Sequence, residues 1–335
     1  MAVISIIMVT IFAGIRGYVG TDTYSYHMMF RNAEEESLLN LVWSTEVLFA
    51  VFIKLITFAT SNSFIFLALI AALQGVILIK LINRTKHPAE FMALYISLFY
   101  LNFQFNILRG GTAILLLILA SKLFYEKNAR PFYLVGLVAV TTHYSAIIGL
   151  FPMLLNKGEG FLRKVLIFAF SIMAGFGLYM LIVNSSVLSG KYLFLLASIS
   201  SSEVVPYGLG LFAKILIYII IFACVVNRVN RFTLTPVFIV LISLMIATIR
   251  FSVVDRIEVI VNALFVFWAL EVDSAGIKRE IRNISIVALV ALGLYSSIFK
   301  IAMTSDKDMA RGAILLDEAH ARSPFNPYRF FWEEK

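Results

Sequence analysis

The chain has 335 residues, 61% hydrophobic and only 14% charged, and its 28 Lys and Arg against 20 Asp and Glu leave a net charge of +8. A soluble domain carries about 45–50% apolar and about 25% charged residues, so this composition excludes an ordinary soluble enzyme. The lone Cys224 excludes a disulfide framework, and the scattered histidines His27, His87, His143 and His320 argue against a metal cluster or any other cofactor.

The apolar runs are continuous, about 15–22 residues long, and do not alternate with period two, which predicts an all-α polytopic integral membrane protein. The basic balance then belongs to cytoplasmic connections rather than to nucleic acid. Ile4–Gly14 reads as a first membrane helix; it lacks the basic lead and cleavage site of a signal peptide. Arg16–Ser44 follows as an outer loop, where Gly17 and Gly20 permit a tight turn and Asp22 is placed to cap a short helix through Tyr26–Phe30. Thr45–Thr60 is apolar but carries Glu46 and Lys54, as an amphipathic helix on the outer interface does. Phe64–Ile82 descends to the basic connection Lys80–His87. Glu90–Leu108 goes out and Thr112–Phe124 returns, with Arg109 at the outer turn.

Phe132–Leu155 has basic segments on both sides, which predicts two half-length helices meeting at Thr141–Ser145 in a re-entrant pair; one ordinary span is the alternative. Leu162–Val183 and Gly208–Val226 flank a polar outer loop, Asn184–Tyr207. Leu234–Ile249 and Ile257–Glu271 flank an outer turn holding Arg250, Asp255 and Arg256. Ile284–Ala302 exits last and leaves residues 303–335 as an outer tail, whose aromatics fit an interfacial belt better than sugar stacking. Lys80–His87, Lys122–Arg130, Lys157–Lys164, Arg228–Arg231 and Lys278–Arg282 all become cytoplasmic. The expected organisation is a single membrane domain over residues 1–335 with about nine to eleven membrane helices and no internal repeat.

This topology gathers Arg16, Asp22, Arg109, His143, Arg250, Asp255 and Arg256 on the outer half. Arginines at helix ends with few acids nearby suit an anionic group such as a phosphate or pyrophosphate, because the planar guanidinium offers a bidentate fork. Arg16 also fits a simple headgroup anchor. Arg109 also fits an ion pair with Asp22, Asp255 or Glu258. His143, beside Thr142 and Tyr144, suits a general base near neutral pH, or a core histidine bonded to a carbonyl freed by the helix break. Asp255 and Glu258, three apart at a helix start, are neighbours on that helix, and an acid there is also ordinary capping.

A set of motifs runs through most of the chain: Arg16…Val-Gly-Thr-Asp22-Thr-x-x-Tyr26, Glu46 ahead of an amphipathic stretch, Leu108-Arg109-Gly-Gly-Thr-Ala, Thr142-His143-Tyr144-Ser145-Ala146, Asp255-Arg256-Ile257 and Asn326-Pro327-Tyr328. In this order they resemble the EpsG-like polysaccharide polymerases, within the wider Wzy O-antigen polymerase group. Such proteins usually carry a helix ahead of the Arg16-bearing one, and often Gln where Gly110 stands.

The resemblance implies a GT-C-like membrane glycosyltransferase at the periplasmic face of the bacterial inner membrane. It would join undecaprenyl-diphosphate-linked oligosaccharide repeats, serving as both donor and acceptor, by metal-independent glycosyl transfer, with a separate chain-length regulator as partner. Arg109 and Arg256, then Arg250 and Arg16, are expected on the diphosphate. His143 is the expected base and Asp22 the second choice, with Asp255, Glu258, Tyr26 and Tyr144 orienting these groups or binding acceptor. A flippase for the same lipid-linked units would also need membrane arginines. An acyltransferase decorating the glycan would also use His143, although Ile148 breaks a His-x-x-x-x-Asp pattern.

Overall fold

A computed structural model describes residues 2–17, 19–20, 22–154, 209–226, 231–247, 252–272 and 274–303, and every element among them is helical. The predicted spans 162–183, the loop 184–207, Arg250, the basic connection 157–164 and the tail beyond Met303 lie outside the described residues. Contacts divide the chain into two compact units, residues 1–147 with 270–335, and residues 148–269.

The first unit opens with α1 (Ala2–Gly14), α2 (Thr23–Glu35), α3 (Leu38–Ser44), α4 (Val47–Thr57) and α5 (Ser63–Ile82). The Ser37 hydroxyl accepts from the Asn40 amide at 3.3 Å to start α3, and the Asn62 side chain accepts from the Phe64 amide at 2.9 Å to start α5. The expected interfacial helix is α4. It turns Phe49, Ala50, Ile53 and Ile56 inward, at the spacing of one helical face. These residues pack with Tyr26, Phe30 and Phe66 in a single core, where Phe30 stacks on Phe66 at 5.2 Å between centroids. Lys54, which signals an interfacial face in the sequence, caps α2 instead: its ammonium donates to Ala33 O at 2.7 Å and Glu36 O at 2.9 Å.

α6 (Pro88–Leu94) begins with proline in its first turn and passes into π-helical turns at Tyr95–Phe99 and Asn102–Asn106. α7 (Leu108–Tyr125) and α8 (Ala129–Thr142) then pack along each other, and α9 (Ala146–Leu154) follows a break at residues 143–145. Two of these helices, α5 and α7, are long and apolar enough to cross a membrane. The second unit holds α10 (Leu209–Val225), α11 (Arg231–Ala247) and most of α12 (Ser252–Glu271). α12 starts at Ser252 rather than at Ile257, so Asp255 and Arg256 belong to the helix and not to a turn before it. α13 (Ile277–Met303), in the first unit, starts at Ile277 rather than Ile284 and absorbs the basic connection Lys278–Arg282. It packs on the first π turn, where the Ser297 hydroxyl donates to Ser97 O at 3.1 Å.

Candidate functional site

α7 begins at a break in the chain. Ile107 leaves helical geometry with φ −93° and ψ 59°, and its amide closes the π turn by donating to Asn102 O at 2.7 Å. A helix that stops here frees the carbonyls that the next turn would have bonded. Side chains from other elements take three in succession. Gln74 Nε2 donates to Phe103 O at 3.0 Å, Arg16 Nη1 donates to Gln104 O, and the Thr23 hydroxyl lies 3.2 Å from Phe105 O and 2.5 Å from Val19 O. Gly20 makes the approach possible: its φ is +104°, and a Cβ there would sit 2.6 Å from Phe105 O.

The sequence leaves two readings of Arg16 open, a headgroup anchor and a diphosphate ligand, and the structure adds a third feature. The residue is 0% exposed, bonded to a backbone carbonyl and set 5.0 Å over the Phe105 ring, as a buried cap. Asp22 occupies the position that precedes α2, as predicted, but its carboxylate makes no capping bond. Its charge acts on Tyr26. Burial raises the Tyr26 phenol above its ordinary range, Arg109 opposes the rise and Asp22 adds to it.

Arg109, the second residue of α7, sits at the positive end of that helix. Gly111 permits the helix to start there, because a Cβ at that residue would lie 2.6 Å from Phe103 Cβ and 2.7 Å from its Cα. The guanidinium lies 5.5 Å from the Phe49 ring centroid and 5.9 Å from that of Tyr26. An ion pair is one of the two readings the sequence leaves open for Arg109, and one is present among the described residues, with Glu46. Arg109 Nη1 is 2.5 Å from Glu46 Oε2 and donates to Thr45 Oγ1 at 2.8 Å.

The other Glu46 oxygen, Oε1, is 2.6 Å from His143 Nδ1. His143 is the residue at which α8 stops: its backbone is extended, its amide donates to Ala139 O at 3.0 Å, and its carbonyl accepts from the Ala146 amide at 2.9 Å. The helix break thus turns the ring toward Glu46, at the start of α4. Tyr144 beside it is exposed.

Glu46, Arg109 and His143 therefore form one cluster on α4, α7 and the α8–α9 break. The Glu46 side chain is 9% exposed, while those of Arg109 and His143 are 25% and 26% exposed. Burial by itself would raise the Glu46 carboxyl. The hydrogen bond from His143, the charges of Arg109 and His143 and the Thr45 hydroxyl outweigh it and hold the group at about 2.

Glu46 is the residue that reasoning from charge and hydropathy missed. Its signal was present, since it is the one carboxylate between Glu36 and Glu90 and it stands directly before an apolar helix. Gln74, alone among apolar neighbours in the middle of α5, carried a similar signal.

The opposite end of α7 collects the basic connections. Arg84 pairs with Glu126 and Lys122 pairs with Glu271, which also accepts from the Thr85 hydroxyl at 2.7 Å. The connections 80–87 and 122–130 thus meet at one end, as the charge pattern predicts. In the second unit, Lys214 Nζ lies 3.6 Å from the buried Glu258, and the Tyr218 hydroxyl donates to Asn262 at 2.5 Å one turn further on. Lys214 is the only charged residue of α10 and was a second missed signal. Arg250 and the side chains of Asp255 and Arg256 lie outside the described residues. Among the described residues, no group of three His, Cys, Asp or Glu side chains is arranged to hold a metal ion.

Compared with known proteins, residues 1–315 match the family model described as the EpsG family. No curated protein matches the chain, and no solved structure does.

Proposed function

The chain belongs to the EpsG family, and on that premise we propose that this polysaccharide-polymerase-like membrane protein joins lipid-linked oligosaccharide repeats. The donor is a glycan on undecaprenyl diphosphate, and the acceptor is the non-reducing end of a fresh repeat unit at the periplasmic face of the bacterial inner membrane. One observation supports the reading above others. A guanidinium at a helix N-terminus and an imidazole, far apart in sequence, meet on one carboxylate and both remain partly open.

The chemistry assigns one role to each. An acceptor hydroxyl attacks the anomeric carbon of the donor glycan while His143 Nε2 takes its proton. The bond from that carbon to the phosphate oxygen breaks, and its electron pair leaves on the diphosphate. Arg109 and the positive end of α7 meet the developing charge. Asp22, near Tyr26, is assigned to the acceptor sugar. Exposed Leu39, Trp43, Leu55 and Phe58 on and beside α3 and α4 support an outer interfacial seat for these helices. The α8–α9 break fits a re-entrant pair whose tip carries His143.

The test is the surface glycan of a deletion strain, resolved as a ladder, with mass spectrometry of its lowest bands. Acceptor cores carrying one repeat unit and no ladder are the expected result. Loss of the single-repeat band would instead indicate a flippase, an intact ladder lacking an acyl group a decorating enzyme, and an unchanged ladder would overturn the reading.

A further inference from the structure

We propose that Glu46 is a positioning residue, which presents the Nε2 lone pair of His143 to the acceptor and leaves one edge of Arg109 unclaimed by carboxylate for the donor diphosphate. This inference rests on the polymerase reading and deepens it. An ionised carboxylate only accepts hydrogen bonds, so Oε1 at 2.6 Å requires the proton of the imidazole on Nδ1. That tautomer leaves Nε2 as the basic nitrogen. Among the described residues His143 is engaged through Nδ1 alone.

The same carboxylate shapes the guanidinium. A glutamate facing an arginine squarely uses two parallel bonds and occupies a whole edge of the fork. Here Glu46 gives Oε1 to His143 and keeps only Oε2 for Arg109, through Nη1. Arg109 Nε is buried with no well-aligned hydrogen bond among the described residues, and the Tyr26 phenol also interacts with the guanidinium. Buried donors are normally satisfied, and an orphan on a helix N-terminus is suited to a phosphate oxygen. Glu46 is itself a poor choice for the base, because a carboxyl held at about 2 has little affinity for a proton at neutral pH. Its contribution is orientation, from the residue that precedes α4 and whose two partners lie 63 and 97 positions further along the chain.

Two measurements on the full chain in lipid nanodiscs test this. The first is nitrogen NMR of protein labelled with ¹⁵N-histidine. One histidine is expected to carry its proton on Nδ1, to vanish from the spectrum in His143→Ala, and to lose the Nδ1–H form in Glu46→Leu. Any other protonation pattern of His143 in the unaltered chain, or the same pattern in Glu46→Leu, would overturn the proposal. The second is the rate of polymer formation from purified lipid-linked repeat units. Glu46→Gln is expected to lose about 10²-fold, Glu46→Asp to recover part of it, and Glu46→Gln to cost less in the His143→Ala background than in the unaltered chain, since residues acting as a unit are not additive. Losses that multiply would overturn it. The NMR measurement needs no activity, so an Nδ1–H ring in a chain that forms no polymer would sink the polymerase reading and leave the positioning geometry standing.

Discussion

The turn at Arg16 and the turn at Arg109 both press on the stretch 103–111, yet they use their arginines differently. Arg16 is wholly buried, stacked on Phe105 and bonded to a backbone carbonyl that a π turn left without a helical partner. Arg109 is a quarter exposed and faces a carboxylate that it shares with a histidine. In the sequence both are arginines at the edge of an apolar run. Position at a helix end therefore does not distinguish a residue that repairs the backbone from one that joins a charged cluster; the acceptor it meets does.

Substitutions can break or sharpen that contrast. The largest effect is expected at Arg109→Lys, which keeps the charge but loses the fork. Polymer formation should fall by about 10²–10³-fold, as when a preorganised donor is removed from a reaction site, with the protein still present in the membrane by immunoblot. Full-length polymer from this variant would remove Arg109 from the chemistry.

The pH dependence of stability comes next. Glu46 has its carboxyl lowered from 4.5 to about 2, so its contribution is complete above about 4.5 and is lost as pH falls toward 2, on the order of 3 kcal/mol. Thermal unfolding in detergent should be level from neutral pH to about 5 and decline below, with a shallower decline in Glu46→Gln. Equal slopes would mean the carboxylate is not held by Arg109 and His143.

Arg16→Met should cost about 1–3 kcal/mol through the orphaned Gln104 carbonyl. It should lower abundance and melting temperature while reducing polymerisation per folded molecule less than tenfold. A loss of activity as deep as that of Arg109→Lys, at normal abundance, would return Arg16 to the site. The smallest effects separate two adjacent glycines. Gly111→Ala drives a methyl to within 2.6 Å of Phe103 and should cost about 1–3 kcal/mol. At Gly110 the nearest atom to an added Cβ is His143 Cδ2 at 3.6 Å, so Gly110→Ala should stay within about 0.5 kcal/mol in the same melt.

Much of the helix order was legible because it rests on local pattern. Continuous apolar runs bounded by basic connections located α5, α7 and α8, and the polar cluster Thr141–Ser145 located the break before α9. Asp22 likewise marked the start of α2, although the predicted capping bond is missing. The π turns were not legible. Inserting a residue into a helical turn depends on what packs against it, here Gly293 and Ser297 of α13 against the carbonyl of Ser97.

The site divides along the same line. The sequence by itself singled out Arg109 and His143, because a charge or an imidazole beside an apolar run is expensive and therefore conspicuous, and it determined the helical class and the family. Only the tertiary structure decided that Glu46 joins these two residues, that Arg16 caps a carbonyl and that Lys54 closes α2. Each of those pairings spans at least eighteen positions. Helical periodicity relates residues three or four apart, so it says which face a side chain occupies, and chain packing alone says what that face meets.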